Sequence, residues 1–251
     1  MDSVNIDLRL SRLFEEWSKR LKCNGDKNFT KDGILYKDGV SIEQTLKDWE
    51  SSKIRVLFLL KDQNQGQSNW DEDIRYWLKN SEWDNEGALY NKEANRNLRP
   101  KSIRILAYIL WGLSKGSSEC GWEYEEVSQH FDEVKEFFNS QPFAIVECKK
   151  QPGLAWCTNK LLQYHLNTYG DLLAHEIEIL RPNIIVCSST LIYGFVLNIF
   201  PTNELEGEKS LYWHSKSGTI IICAYHPAAR KSQHEIYDSV MTHYRNFLKK
   251  H

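Results

Sequence analysis

The sequence predicts an α/β fold with a mainly parallel sheet and helices on both faces. Four short runs are apolar almost throughout: "KIRVLFLL" (53–60), "PFAIVEC" (142–148), "NIIVCSS" (183–189) and the run from Ile220 to Ala224. Strands buried on both faces of a parallel sheet read this way. Segments of helical periodicity separate the runs, the alternation expected of an α/β protein. The chain has 251 residues, 41% of them hydrophobic and 26% charged, with no internal repeat and no low-complexity linker. One domain over 1–251, with residues 1–52 as an N-terminal helical and loop extension, is the simplest organisation.

The elements follow in order. Ile6, Leu10, Leu13, Phe14, Trp17 and Leu21 recur at helical spacing and predict an amphipathic helix over 3–22. The polar, glycine-containing stretch 23–41 predicts loops or a small hairpin. "SIEQTLKDWESS" predicts a short helix with Ser41 as its cap. The first strand, 53–60, runs into a polar loop. "RNLRPKSIRILAYILWGLSKG" predicts a long helix ending near Gly112 or Gly116, and "YEEVSQHFDEVKEFFNS" a further helix. The second strand gives way to the loop "KKQPGLAWCTNK". A helix then leads to Pro182, which marks its exit. The third strand, a helix "TLIYGFVLNIF", an edge hairpin or loop, the fourth strand and an amphipathic helix "HEIYDSVMTHYRNFLKK" complete the chain.

The bulk composition narrows the function. The formal net charge of −2 excludes a surface built throughout for nucleic acid, but leaves room for a local basic patch. Nine tryptophans are many; they supply core bulk and flat faces for stacking. Cys23, Cys120, Cys148, Cys157, Cys187 and Cys223 form no C-x-x-C pair. They read as reduced thiols, and neither a zinc nor an iron–sulfur site is expected. The first residues contain no apolar segment of the signal-peptide kind and the chain no transmembrane run, so a cytoplasmic protein without membrane contact is expected.

Sites in open α/β sheets form beyond the carboxyl ends of the strands. That rule selects the loops 61–73, 147–159, 188–194 and 225–234. In the first, Asp62 can orient or deprotonate a water. Gln63 and Asn64 beside it can read the donor and acceptor edge of a ligand. A hydrophilic turn capped by Asp62 fits the same residues, and Trp70 can stack on a ligand or cover the core. The second loop carries Glu147, Lys149, Lys150, Gln151 and Asn159. Its lysine pair suits phosphate, or is a solvated surface pair. In the fourth, His226 ends a strand and Pro227 restricts its backbone. Its imidazole can donate to charge that develops on a ligand, or bond backbone at a strand terminus. Arg230, Lys231 and Ser232 can meet phosphate oxygens. His165, His175, His214 and His234 read as surface or packing residues. The sequence has neither a glycine-rich phosphate loop nor a nucleophile elbow.

Two segments carry a resemblance. "EIEILRPNIIVCSSTLIYGFV" is similar to the helix–Pro–strand segment of the uracil-DNA glycosylase superfamily, and "AYHPAARKS" to its His-Pro-Ser segment. The ordered pattern spans roughly residues 53–250. The resemblance implies a three-layer α/β/α sandwich around a four-stranded parallel sheet. It also implies flipping of a base out of DNA and hydrolysis of its N-glycosidic bond without metal or cofactor. By position it implies Asp62 as the residue that places the attacking water, with Gln63 and Asn64 beside it. It implies His226 as donor to the departing base and Trp70 as stacking face, and it puts Glu147 near the family's base-reading asparagine. The chain departs from the pattern in "LKDQNQGQ", in "HPAAR" where serine follows His-Pro, and at Glu147, so its base is not assumed to be uracil.

The expectation is a monomeric, divergent glycosylase acting on damaged or deaminated DNA, with Lys149, Lys150, Arg230 and Lys231 on phosphates. Two alternatives remain from the residues alone. One is a non-catalytic nucleic-acid or nucleotide-binding protein of the same fold. The other is an unrelated α/β hydrolase using Asp62 and His226 on a small molecule.

Overall fold

The structure is a computed structural model that describes residues 3–25, 28–64, 71–79, 92–115, 122–153 and 157–251. Its elements in chain order are α1 (Ser3–Cys23), β1 (Thr30–Lys31), β2 (Gly33–Ile34), α2 (Ile42–Ser51), β3 (Val56–Asn64) and β4 (Glu72–Asp73). Then come α3 (Lys92–Arg96), α4 (Lys101–Lys115), α5 (Tyr124–Gln129), α6 (Phe131–Ser140), β5 (Ala144–Gly153) and α7 (Asn159–Leu180). The last third holds β6 (Ile184–Cys187), α8 (Thr190–Ile199), β7 (Leu205–Glu208), β8 (Leu211–His214), β9 (Thr219–Cys223) and α9 (Gln233–Leu248).

The protein is α/β with a mixed sheet in the order β2-β5-β3-β6-β9-β8-β7. Strand β3 pairs parallel with β5 and β6, and β6 parallel with β9; β2, β8 and β7 join antiparallel at the two sides. Side-chain alternation splits each buried strand between two cores. Val56, Phe58 and Leu60 pack with α4, α5, α6 and α9, whereas Leu57 and Leu59 pack with α1, α2, α7 and α8. Residues from 1–52 therefore belong to the main fold: the apolar faces of α1 and α2, with Trp17 and Trp49 each 1% exposed, complete the second core. Ser41 caps α2 as expected, its Oγ accepting the Gln44 N–H at 3.1 Å. Among the described residues no helix is long and apolar enough to cross a membrane.

Several expected boundaries move. The pattern over 124–140 is two helices meeting at His130, which leaves helical geometry with φ −94° and ψ 36°. Gly112 does not end α4. It lets α9 approach, since a Cβ there would lie 2.6 Å from Tyr237 Oη. Within 23–41, β1 pairs with β4 and β2 with β5, so no hairpin joins them. Strands β3 and β5 run on as a pair through Asp62↔Lys149 to Asn64↔Gly153, with a register shift before the last pair. Asp62, Gln63, Asn64, Lys149, Lys150 and Gln151 therefore lie on strands rather than loops.

The extension of β5 corrects the expected lysine surface. Lys150 is fully buried between Asp32, which follows β1, and Glu176 on α7, at 2.7 Å from Glu176 Oε2. Its ammonium also lies 4.9 Å from the Trp17 ring centroid. Burial alone would strip its proton; the two carboxylates outweigh that and raise its pKa. Lys150 is thus a core residue with no surface to offer a phosphate, and Lys149, with a side chain 3% exposed, is nearly as enclosed. Lys150→Met should cost about 3–5 kcal/mol of stability in urea unfolding, because it leaves buried carboxylates without their cation. An unchanged unfolding midpoint would restore Lys150 to the surface.

Candidate functional site

The chain leaves β3 toward β5 on one side of the sheet and returns on the other side at β6. The crevice beyond the carboxyl ends of β3 and β6 is therefore a topological switch point, where open α/β sheets bind ligands. Asp62 and Ser188 flank it. Helix α8 begins there, capped by Ser189, whose Oγ accepts the Ile192 N–H at 3.3 Å. Its first turn turns free N–H groups and positive helix-dipole charge toward that edge. Ser188 is 4% exposed and its Oγ has no hydrogen-bond partner among the described residues.

Asp62 faces Lys149 across the β3–β5 register. Lys149 Nζ stands 2.9 Å from Asp62 Oδ2, with both side chains under 8% exposed, and also donates to the Gln151 carbonyl. Burial raises the Asp62 carboxyl above its ordinary value, against the charges of Lys149 and Lys61. The result is a carboxylate more basic than a solvated one, anchored on one oxygen. Gly153 fits against this pair without a side chain: a Cβ there would overlap Asp62 Oδ2 and come within 3.2 Å of Lys149 Nζ.

His226 is placed by the path beyond β9. The Ala224 N–H continues the sheet to the Cys187 carbonyl at 2.8 Å, and the Tyr225 N–H donates to Ser239 Oγ at 3.1 Å. The chain then turns at buried Pro227, with the Ala229 N–H on the His226 carbonyl. The Ala228 N–H donates to His226 Nδ1 at 3.1 Å. A ring nitrogen that accepts carries no proton, so the neutral imidazole holds its proton on Nε2 as a donor. Burial, then the Lys61 charge, lowers its pKa to about 4. Lys61 thus reaches both Asp62 and His226 with its field.

The other expected residues divide. Glu147 is buried, opposite Leu60 in the register, and its N–H donates to Asp32 Oδ2 at 2.7 Å. Burial, then the charges of Asp32 and Asp62, drive its carboxyl well above the ordinary value. Asn159 is the exposed first residue of α7, which Thr158 caps. Gln63 and Asn64 lie on β3, their side chains beyond what is described, and Trp70 lies outside the described residues. Arg230 is exposed, while Lys231 pairs with Glu235 at 2.9 Å and Ser232 caps α9.

Three residues joined the site only through the fold. Tyr225 is an exposed aromatic beside His226, with Lys231 Nζ 4.5 Å from its ring centroid. Its place before His-Pro at the end of an apolar run was the one visible signal. Half-buried Cys157 feels Asp62 and Lys149, and buried His165 feels Lys149; burial, then that charge, lowers the His165 pKa to about 4. Neither carries a sequence signal. His214, read as a surface or packing residue, is buried between Ser217 Oγ at 2.6 Å and Glu204 Oε2 at 2.8 Å. Among the described residues no group of three or more His, Cys, Asp or Glu side chains could hold a metal ion. No known family model matches the chain, and no curated protein matches it.

The His226 placement has a pH signature. The unfolded imidazole takes its proton near pH 6.5 and the folded one only near 4, so its contribution to stability is complete above 6.5 and drains away as pH falls to 4. His226→Gln lacks that loss. Relative to the wild type its stability should improve by about 2 kcal/mol between pH 7 and pH 4.5 in urea unfolding. A constant difference would mean that the imidazole is solvated.

Proposed function

We propose that the protein hydrolyses the N-glycosidic bond of a modified base in DNA. The observation that carries this is His226: an imidazole kept neutral, its proton confined to Nε2, at the strand edge where Asp62 stands. In the reaction the C1′–N bond breaks and the base departs with the electron pair. Nε2–H donates a hydrogen bond to the oxygen on which that charge collects. The Asp62 carboxylate stabilises the positive sugar, orients a water toward C1′ and takes its proton as the new C–O bond forms. Lys149 holds the carboxylate in place. Exposed Tyr225 offers a face for the extruded base.

The finer architecture belongs to the same proposal: a central four-stranded parallel sheet of the uracil-DNA glycosylase type, with β2, β7 and β8 as additions at its sides. It is supported by the parallel pairings of β5 with β3, β3 with β6 and β6 with β9, and by helices on both faces. The phosphate contacts narrow to Lys61, Arg230 and Lys231. With three cations, the slope of log affinity against log salt concentration should be about −2 to −3. A second reading, nucleotide or nucleic-acid binding without hydrolysis, is favoured by the enclosed Asp62–Lys149 pair, which occupies one carboxylate oxygen.

The test is strand cleavage after alkali, on oligonucleotides carrying uracil, hypoxanthine, xanthine or alkylated bases. Wild type should give product on at least one of them. His226→Gln should lower the rate by about 10²–10³. Gly153→Ala, which displaces the Asp62 carboxylate while leaving its charge, should retain the fold and lower the rate at least about tenfold, part of the roughly 10²–10⁴ that a positioned acid or base contributes. DNA binding without product on any base would sink hydrolysis and establish the second reading.

A further inference from the structure

A pocket of about 260 Å³ opens at the opposite edge of the sheet, among α1, α2 and the turn from α7 to β6. Arg9, Arg55 and Arg181 line it, with Trp49 and Ile6 as apolar wall and Glu50 as its one carboxylate. Three guanidiniums face one carboxylate, an excess of two positive charges. Among the described residues no carboxylate lies within ion-pair distance of any of the three.

The carboxyl ends of α2 and α7 both favour a cation here, and Arg55 serves both. Its Nε donates to the Arg181 carbonyl at 2.9 Å and its Nη1 to the Ser52 carbonyl at 2.9 Å. Among the described residues the side chains of Arg9 and Arg181 make no comparable hydrogen bond. Burial, then the neighbouring Arg181 charge, holds Arg55 below its ordinary value, so these two guanidiniums repel each other. Arg181 also sits where arginine is costly. Its backbone is left-handed, with φ 48° and ψ 53°, and Pro182 follows. Glycine occupies such a helix end without strain. A strained residue whose side chain adds to uncompensated charge in a pocket suggests that the side chain is used.

We propose that this pocket binds a phosphate group, as inorganic phosphate or as a small phosphomonoester, between Arg9, Arg55 and Arg181. Phosphate presents more acceptor oxygens than a carboxylate, so guanidiniums from three parts of the chain can share it. Planar guanidiniums bind phosphate oxygens in pairs. The volume falls below the roughly 300–1,000 Å³ of sites for drug-sized ligands, which suits a phosphate with a small organic group.

Calorimetric titration with inorganic phosphate and with glycerol 3-phosphate tests it, on wild type, Arg9→Gln and Arg181→Gly at constant ionic strength. Wild type should bind with saturation, and each variant roughly ten- to a hundredfold more weakly, the loss expected for a charge-assisted hydrogen bond. Arg181→Gly relieves the left-handed strain and should melt no lower than wild type, which separates lost binding from lost folding. Tighter binding of glycerol 3-phosphate would assign the phosphomonoester, and tighter binding of inorganic phosphate the free anion. Absence of saturation with both probes, equal affinity in the variants, or an equal melting shift from potassium chloride would overturn the proposal.

Discussion

The buried ammonium of Lys150 is the constraint on which the site depends. Removing a charge from water is costly unless partners surround it, and here Asp32 and Glu176 converge on it from a turn and a helix distant in sequence. Burial, then the Asp32 charge, pushes the Glu176 carboxyl well up, while the Lys150 charge draws it back. Three parts of the chain are fastened at one point: the β1–β2 turn, strand β5 and helix α7. Successive strand residues face opposite ways. With Lys150 held on the α1 and α7 side, Lys149 is directed to the other face, where Asp62 lies opposite in the register. The anchoring of the site carboxylate thus follows from the core.

Around Asp62 and His226 the electrostatics have one direction. For the proposed reaction Asp62 is the more useful if ionised and His226 if neutral, and a positive charge nearby favours both states. Lys61, the strand residue before Asp62, supplies it to both groups. Burial opposes it at Asp62 and assists it at His226. One lysine therefore moves a carboxylate toward base and an imidazole toward neutral donor. An uncharged residue at position 61 would lose both effects while leaving the strand pairing intact.

What the sequence disclosed, and what it concealed, follows from the range of the interactions. The buried parallel strands were legible because both faces are covered, so each reads as a continuous apolar run. Helix α1 and the Ser41 cap were legible because their signals are local. Asp62 and His226 could be put at one edge from the strand-end rule alone. Lys149 and Lys150 could not be placed, because a lysine pair is ordinarily solvated. The partner that reverses this for Lys150, Asp32, lies 118 residues away. Gly112 reads as a helix end only until α9 is packed against it. Glu147 looks like a residue of the crevice, yet it is enclosed, since β5 continues past it through the same ion pairs that bury the lysines.

The sheet also sorts charge between its two edges. Helices that follow parallel strands begin at the carboxyl edge, as α7 and α8 do, and present free N–H groups there. Negative charge developing on a ligand is favoured at that edge before any side chain contributes. The opposite edge receives helix carboxyl ends and favours cations, which accounts for Arg55 beneath α7. It does not account for Arg9 and Arg181 in the same pocket. Arg55 already bonds the terminal carbonyls of both α2 and α7, at Ser52 and Arg181. In the two proposals the edges of the sheet work by opposite means: fixed cations for an anion at the amino edge, and a neutral donor for charge that develops during reaction at the carboxyl edge.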